Sequence, residues 1–248
     1  MKISIITVVF NNEKTISTAI ESVLNQTYPD VEYIIIDGNS TDGTLSRINR
    51  YASSIDKIVS EPDQGTYDAM NKGIRLATGE VIGILNSDDV YADDDVLTDL
   101  MNAFEDTSTD IVYGNLVYVK SDDLNQVVRT WKSENYYPGF FEDGHVPPHP
   151  SLFIRRKVYD TVGHFNKTMR LAADYEFMLR LFKLYNFKSK YLNRLFVKMR
   201  LGGATNGSFR NIVDGNREIL KAWQLNQLKA PILLMPKRLL KRLIQYLG

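Results

Sequence analysis

Two adjacent carboxylates that follow an apolar stretch are the first candidates for chemistry in this chain. The run Val81-Ile82-Gly83-Ile84-Leu85 is followed directly by Asn86-Ser87-Asp88-Asp89. Neighbouring carboxylates at the end of a buried strand repel each other unless a cation or a hydrogen-bonding ligand offsets their charge. Such oxygen ligands suit Mg²⁺ or Mn²⁺, which commonly share their coordination shell with substrate phosphates. A solvated turn in which Asp caps a helix is the alternative that these residues alone leave open.

The first 85 residues contain the elements that would position these carboxylates. Apolar runs at 3–9, 31–36, 55–60 and 81–85 alternate with stretches of helical periodicity, and this pattern predicts an α/β fold with a Rossmann-like, mostly parallel sheet flanked by helices. Ligands of such sheets bind beyond the carboxyl ends of the strands. Polar residues occupy all four ends: Thr7 to Asn11, Asp37-Gly38, Glu61-Pro62-Asp63 and Asn86 to Asp89. We therefore expect these ends to form one binding site.

The pattern changes after residue 95. The sequence predicts an antiparallel hairpin from 111–119 and 126–131, a long aromatic loop over 133–150, and helices over 171–185, 208–228 and 232–247. We predict that residues 1–100 and 101–205 form two halves of one domain. A helical extension over 206–248 would follow them.

Bulk composition excludes several classes of function. The 248 residues contain 30 acidic and 30 basic side chains, so no global field indicates nucleic-acid binding. The absence of cysteine rules out disulfides, thiolate metal sites and a Cys nucleophile. No run approaches the roughly 20 apolar residues of a membrane span. We expect a cytoplasmic protein.

Four ordered motifs together resemble the family 2 glycosyltransferases of GT-A fold. They are Thr7-Val8-Val9-Phe10-Asn11-Asn12-Glu13, Ser22-Val23-Leu24-Asn25-Gln26-Thr27-Tyr28, Ile36-Asp37-Gly38-Asn39-Ser40-Thr41-Asp42-Gly43-Thr44 and Asn86-Ser87-Asp88-Asp89. The stretch Ser60 to Gly73 resembles a branch of the family from bacterial surface-polysaccharide pathways. The resemblance implies an inverting, metal-dependent enzyme that uses a nucleotide-sugar donor, and it divides the domain into a nucleotide-sugar-binding half and an acceptor-binding half.

The resemblance also implies roles for individual residues. Thr7, Val8 and Phe10 would form the wall of the base pocket, and Asp37 would hydrogen-bond the base or ribose. Asp88 would face the ribose or a metal-bound water, and Asp89 would be the firmer contact with the Mn²⁺ or Mg²⁺ ion. The remaining predicted nucleotide-sugar-binding residues are Asn11, Asp63, Asn71, Lys72 and Asn86.

Three positions depart from the family pattern. Gly38 stands where a second acid is common, and Asn86 replaces an acid, which lowers the negative charge of the site. Met70 stands where other branches have a phosphate-facing Arg. Lys72, or the metal alone, would then have to neutralise the diphosphate.

Asp174 is the predicted general base. In the helix over 171–185 it shares a stripe with Phe177, Met178 and Leu181, whereas Glu176 falls on a polar face that we expect to be solvated. A carboxylate that faces a core must be paired or poised for chemistry. In the resembled family an acid at this position deprotonates the acceptor hydroxyl. The alternative is a helix-terminus acid, or a partner of Arg155, Arg156 or Arg170.

Two further features concern the acceptor. His149 lies between prolines, which fix its backbone and suit a contact with the acceptor or the donor sugar. The segment 232–247 is a basic amphipathic helix with Leu239, Leu240, Leu243, Ile244, Tyr246 and Leu247 on its apolar half. It could bind the inner face of a membrane, or pack on the domain or on a partner subunit of a homodimer.

The sequence thus predicts an enzyme that moves a sugar from a nucleotide-diphosphate sugar, with UDP favoured, to a hydroxyl of a polysaccharide or lipid-linked oligosaccharide. A sugar nucleotidyltransferase is one alternative, although the loop after the first strand lacks the glycines of that class. A non-catalytic nucleotide-sugar-binding partner protein is the other.

Overall fold

A computed structural model describes residues 1–185, 187–202 and 209–246. Nine strands occur in these ranges: β1 Ile3–Val9, β2 Val31–Asp37, β3 Lys57–Ser60, β4 Val81–Asn86, β5 Val90–Tyr91, β6 Ile111–Val119, β7 Val127–Trp131, β8 Leu152–Arg155 and β9 Ser189–Arg200. Eight α-helices accompany them: α1 Ile16–Leu24, α2 Thr44–Asn49, α3 Thr66–Leu76, α4 Val96–Ala103, α5 Arg156–Val162, α6 Ala173–Leu179, α7 Phe209–Leu225 and α8 Leu234–Ile244. A π-helical segment, Arg180–Leu184, continues α6.

All nine strands belong to one sheet. Its order is β3-β2-β1-β4-β8-β6-β9-β5, and β7 pairs with β6. Strands β1 to β4 run parallel to one another, as predicted. The second half is mixed, because β8 runs antiparallel to both β4 and β6 while β9 runs parallel to β6. The predicted hairpin of β6 and β7 is confirmed.

Burial on both faces explains the continuous apolar runs. Every residue of β1 is buried. Ile6 and Val8 contribute to the core on the side of α3 and α6, whereas Ile3, Ile5 and Val9 contribute to the core on the side of α1 and α4. A strand covered by helices on both faces has no solvent-facing side, so its sequence does not alternate.

Two local predictions differ from the structure. Asn12 does not cap α1, because the helix begins at Ile16 and the Asn12 side chain instead accepts a hydrogen bond from the Thr15 hydroxyl at 2.9 Å. The predicted helix over 171–185 begins at Ala173 and changes to π-helical geometry at Arg180.

The C-terminal extension consists of α7 and α8 in its described part. Trp223 of α7 is buried and donates to the Tyr175 hydroxyl at 3.0 Å, which docks α7 against α6. Leu247, predicted to join the apolar half of the last helix, lies outside the described residues. Among the described helices, each is too short or too polar to cross a bilayer.

Candidate active site

The carboxyl ends of the parallel strands meet at one edge of the sheet and face a large cavity. Strand register places Val9 beside Asp37, Val8 beside Asn86, and Asp37 beside Ser60. The adjoining cavity has a volume of about 1720 Å³. The sheet therefore brings the four polar strand ends together, as predicted.

Six of the predicted nucleotide-sugar-binding residues line this cavity: Val8, Phe10, Asn11, Asp63, Asn86 and Asp88. Phe10 is 62% exposed and lines the cavity. Asn11 adopts a positive φ of 49° and accepts a hydrogen bond from the Thr41 backbone at 2.8 Å. The loop after β1 is thus fixed in a conformation that leaves the aromatic face open.

Thr7 and Asp37 do not line the cavity, contrary to the roles predicted for them. Thr7 is fully buried and its hydroxyl lies 3.1 Å from that of Tyr33. Asp37 is also fully buried, and its carboxylate accepts hydrogen bonds from Ser40 and Ser60. Both side chains form hydrogen bonds with neighbouring strands and turns, and these bonds support the edge of the sheet.

Asn71 and Lys72 are likewise engaged elsewhere. The Asn71 amide exchanges two hydrogen bonds with the backbone of Phe165, at 2.9 and 3.0 Å. Lys72 forms an ion pair with Glu61 at 2.9 Å and donates to the Pro62 carbonyl at 2.8 Å. The predicted neutralisation of a diphosphate by Lys72 does not fit this placement.

Asp88 and Asp89 occupy different environments. Asp88 lines the cavity, whereas Asp89 lies behind it with no exposed surface and accepts a hydrogen bond from the Asn86 amide at 2.9 Å. Burial, followed by repulsion from Asp88, raises the pKa of Asp89 well above its ordinary value, and burial also raises the pKa of Asp88. This placement favours Asp88 over Asp89 for direct contact with a ligand and so reverses the predicted order.

The two carboxylates form an electrostatically unfavourable pair that a cation would relieve. The second carboxylate oxygen of Asp89, Oδ1, is buried without a hydrogen-bond partner in the described part of the chain. No group of three or more His, Asp or Glu side chains in that part is placed to hold a metal ion. Mg²⁺ is commonly bound by one or two carboxylates and completes its shell with substrate phosphates and water, so this small acidic pair fits such an ion.

Arg200 holds the acidic loop from behind. Its guanidinium donates to the Asp88 carbonyl at 2.6 Å and to the Thr18 hydroxyl at 3.1 Å. Ser87 receives a further hydrogen bond from the Asn12 amide at 2.9 Å. These contacts join the loops after β1 and β4 to strand β9, which lies far away in sequence.

Asp174 reaches the same cavity from the opposite wall. It stands in the first turn of α6, is half-buried, and accepts a hydrogen bond from the Tyr67 hydroxyl at 3.0 Å. The buried neighbours Phe177, Met178 and Leu181 form the predicted stripe behind it. No ion pair joins Asp174 to Arg155, Arg156 or Arg170 in the described ranges, and the residue lines the cavity.

The prediction that Glu176 is solvated is wrong. Glu176 is 4% exposed, forms an ion pair with Arg180 at 2.9 Å and accepts a hydrogen bond from Asn226 at 3.2 Å. Helix α7 covers the face of α6 that the sequence pattern assigned to solvent. The polar face of α6 therefore forms hydrogen bonds and ion pairs inside the protein instead of meeting solvent.

Glu218 is a positioning residue that the sequence did not reveal. Its carboxylate accepts three backbone hydrogen bonds, from Arg170 at 2.9 Å, Leu171 at 2.7 Å and Ala172 at 2.9 Å. These N–H groups belong to the turn that directly precedes α6, which begins at Ala173. Glu218 thus fixes the turn that presents Asp174, and only its spatial proximity identifies it.

His149 lines the cavity, as its predicted contact role requires. Its ring lies 5.6 Å from that of Phe165 in an edge-on arrangement. Burial lowers the pKa of His149, although the charge of Asp174 acts in the opposite direction. The imidazole is therefore neutral near pH 7 and suits a hydrogen bond to a hydroxyl group.

The family model described as Glycosyl transferase family 2 matches residues 4–170. Over 230 residues, the chain is 31% identical to a PGL/p-HBAD biosynthesis glycosyltransferase of Mycobacterium bovis (strain BCG / Pasteur 1173P2), with 88% of this chain and 82% of that protein covered. The match extends through both halves of the sheet.

Solved structures share the fold at lower identity. S. aureus TarS 1-349 in complex with UDP-GlcNAc superposes with a TM-score of 0.67 at 17% identity, covering 97% of this chain and 79% of that one. The chain spans 40% of a longer TarS structure. The mannosyltransferase PcManGT from Pyrobaculum calidifontis, in complex with GDP-Man and Mn²⁺, also gives a TM-score of 0.67, at 18% identity, covering 99% of this chain and 69% of that one.

These similarities confirm the predicted GT-A fold. On the extent of the family match and the identity to a full-length relative, the chain belongs to the family 2 glycosyltransferases.

Proposed function

We propose that this protein is an inverting glycosyltransferase that moves a sugar from a nucleotide-diphosphate sugar to a hydroxyl of a polysaccharide or lipid-linked oligosaccharide. The observation that carries the proposal is the pairing of two acidic centres across one cavity. Asp88 lines it from the edge of the parallel sheet, and Asp174 lines it from α6. A leaving diphosphate and an attacking hydroxyl need such opposed positions.

The size of the cavity supports two substrates. Its volume of about 1720 Å³ exceeds the roughly 300–1,000 Å³ typical of a site for one small molecule. The exposed ring of Phe10 offers a face on which a nucleotide base can stack. UDP is the first nucleoside diphosphate to test and GDP the second, since the solved structures of similar fold hold UDP-GlcNAc and GDP-Man.

In the proposed reaction, Asp174 accepts the proton of the acceptor hydroxyl as its oxygen attacks the anomeric carbon. The bond from that carbon to the diphosphate breaks on the opposite face, which inverts the configuration. Tyr67, which donates to Asp174, orients the carboxylate. Asp88, backed by Asp89, would hold Mn²⁺ or Mg²⁺, and the ion would supply positive charge to the leaving diphosphate.

A thermal-shift screen of UDP, GDP and other nucleoside diphosphates, with and without Mn²⁺, tests the donor site. We expect the nucleoside diphosphate of one base to raise the melting temperature of the protein, and to raise it more with Mn²⁺ present. Ligands that bind only the folded state stabilise that state. The Asp88→Asn variant should lose the metal-dependent part of the shift. A protein that responds to no nucleotide under either condition would disprove the proposal.

We further propose that the outer face of α8 contacts a membrane that carries the acceptor. Leu240 and Leu243 are each more than half exposed and lie outside the set of cavity-lining residues. Exposed apolar area on an amphipathic helix favours an interfacial site. The double variant Leu240→Ser/Leu243→Ser should lose co-sedimentation with vesicles of phosphatidylcholine and phosphatidylglycerol.

The matched control for this membrane test is Leu220→Ser/Leu225→Ser, on exposed positions of α7. It should sediment with vesicles as the wild type does. Equal binding by both double variants would refute the α8 surface. A self-association that the α8 variant abolishes, without any vesicle binding by the wild type, would favour the homodimer instead.

A further inference from the structure

Helix α8 presents its faces in an order opposite to that of an ordinary surface helix. Arg238, Lys241, Arg242 and Gln245 recur at i, i+3, i+4 and i+7, and all four line the cavity. We call them the inner stripe of α8. Leu240 and Leu243 lie outside the cavity and are more than half exposed, although Leu239 and Ile244 also line it, whereas an amphipathic helix usually buries its apolar face and exposes its charges. Cationic side chains that face a cavity need a counter-charge to offset their desolvation.

The docking of α8 holds this unusual orientation in place. Leu234 is fully buried, and Lys237 forms an ion pair with Asp143 at 2.8 Å. Gly144 has a φ of +86°, and a Cβ atom there would approach the Arg238 backbone nitrogen to 2.8 Å, so only glycine permits this close contact. At the other end, the Thr130 amide donates to the Gln245 carbonyl at 2.9 Å.

Arg238 has a buried donor, Nη1, without a hydrogen-bond partner in the described ranges. Its guanidinium carbon lies 4.7 Å from the centre of the Tyr175 ring. No carboxylate in those ranges lies within ion-pair distance of it, although Asp174 is close enough to stabilise its charge electrostatically. Burial lowers the pKa of Arg238, but an arginine stays protonated near neutral pH.

The stripe shares its cavity with both acidic centres. Arg242, Tyr118 of β6 and Asp88 all line it, and the Arg238 guanidinium lies over the ring of Tyr175, the residue after Asp174. The inner stripe therefore faces the same cavity as Asp88 and Asp174. A diphosphate leaving group would lie between those two centres in the proposed reaction.

Three basic residues near the cavity are already engaged, although Arg129 and Lys132 also line it. Lys72 is paired with Glu61, and Arg200 donates to the Asp88 carbonyl and to Thr18. Arg170 donates to Asn211 at 2.9 Å. Met70, which lines the cavity, supplies no charge. The position from which an arginine of the resembled family faces the phosphates is thus empty of charge in this chain.

We propose that the inner stripe of α8, with Arg238 as its principal contact, binds the oxygens of a diphosphate ester. This inference rests on the proposed function. A planar guanidinium can donate two parallel hydrogen bonds to phosphate oxygens, and such charge-assisted bonds are stronger than neutral ones. The diphosphate belongs either to the nucleoside diphosphate of the donor or to a lipid diphosphate that carries the acceptor sugar.

Isothermal titration of the full chain with two sets of ligands distinguishes these sources. The first set is UDP and GDP with the nucleosides uridine and guanosine, and the second is farnesyl diphosphate. For the donor source, Arg238→Gln should weaken binding of the preferred nucleoside diphosphate about 10- to 100-fold and leave nucleoside binding unchanged. For the lipid source, the same loss should appear with farnesyl diphosphate and not with the nucleotide.

Two further variants keep the test decisive. Lys241→Gln, on the same stripe, should weaken the same ligand about 3- to 10-fold even if Arg238→Gln does not fold. Arg217→Gln, a 76% exposed arginine of α7, is the matched control and should bind as the wild type does.

Unchanged affinity for every diphosphate in a folded Arg238→Gln, or in Lys241→Gln, would overturn this inference and leave the proposed function standing. If the wild type bound none of the diphosphates, both would fall.

Discussion

The edge of the parallel sheet and the wall formed by α6, α7 and α8 meet the same cavity but are built differently. The sheet edge follows the register of the parallel strands: Asp37 bonds to Ser40, three residues away, and to Ser60, 23 residues away, and Arg200 of β9 supports the loop after β4 from 112 residues away. At the helical wall, Asp174 is oriented by Tyr67 across 107 residues, and Glu218 holds the turn at 170–172 across about 47.

This difference indicates how the two substrates are served. The sheet edge is covalently continuous with buried parallel strands, so its geometry is fixed wherever the sheet forms. The helical wall depends on the docking of segments from the C-terminal extension. A donor site on the sheet edge and an acceptor site on the helical wall could then be altered separately by mutation. Four variants measure how far the two sites are independent.

The largest expected effect is that of Asp174→Asn. Loss of a general base typically lowers the rate 10²- to 10⁴-fold, so we expect turnover to fall about 10³-fold. Binding of nucleoside diphosphate should be unchanged, because the sheet edge is untouched. Steady-state transfer assays and titration calorimetry measure the two quantities. Asp160→Asn, on the exposed side of α5, is the control, and transfer within tenfold of wild type would remove Asp174 from the role of base.

Glu32→Gln should destabilise the sheet without affecting the helical wall. Although burial alone would raise it, hydrogen bonds from Lys57, Ser4 and Thr78 lower the pKa of Glu32 to about 2. The folded pKa lies below the unfolded value, so this stabilisation is present above pH 4.5 and is lost as the pH falls toward 2. We expect the free energy of unfolding at pH 7 to drop by about 2 kcal/mol.

Urea denaturation at several pH values checks this prediction, with the exposed Glu80→Gln as control. The difference between Glu32→Gln and wild type should shrink as the pH falls from 4.5. A difference that is independent of pH over that range would show that the carboxylate charge is not what stabilises the fold.

Glu218→Gln should affect the helical wall selectively. The variant keeps an acceptor but loses the charge that strengthens three backbone hydrogen bonds, so we expect turnover to fall about tenfold and stability by about 1–2 kcal/mol. Affinity for nucleoside diphosphate should stay within twofold of wild type. Asp214→Asn, which removes only exposed ion pairs on α7, should change neither. Equal losses of turnover and nucleotide affinity in Glu218→Gln would contradict the separation of the two regions.

Tyr67→Phe gives the smallest expected effect and tests a hydrogen bond that joins the regions directly. Tyr67 belongs to α3, which packs on the parallel sheet, while its hydroxyl orients Asp174. Loss of one hydrogen bond should lower turnover about 3- to 10-fold and leave the affinity for nucleotide unchanged. Tyr185→Phe, on an exposed ring, is the matched control. A change in nucleotide affinity instead would place Tyr67 on the donor side.

Much of the sheet was predictable because each parallel strand is a short apolar run that ends in polar residues. The order of the motifs also identified the family, since their spacing is preserved along the chain. The sequence did not show which polar side chain of each run faces the cavity. Thr7 and Asp89 are one residue away from Val8 and Asp88, which do line it, and the direction in which a side chain points at a strand end depends on the turn that follows.

The errors at the helical wall have a different origin. A helical wheel shows that Glu176 and Asp174 lie on different faces, but it does not show what covers each face. Helix α7 buries the face of Glu176, and the cavity opens the one that contains Asp174. The sequence showed the basic half of α8 that contains the inner stripe. Ordinary amphipathic packing would have turned that half toward solvent, whereas in the structure it faces the cavity.

The sequence by itself therefore determined the parallel strands, their polar ends, the family and Asp174 as the candidate base, because these follow from local hydrophobic patterns and ordered motifs. The tertiary structure decided that Asp88 rather than Asp89 meets the cavity, that Lys72 is already paired, that Glu218 positions the turn before Asp174, and that α8 turns its arginines inward. Each of these depends on contacts between segments distant in the chain, whose geometry is set by packing and not by residue spacing.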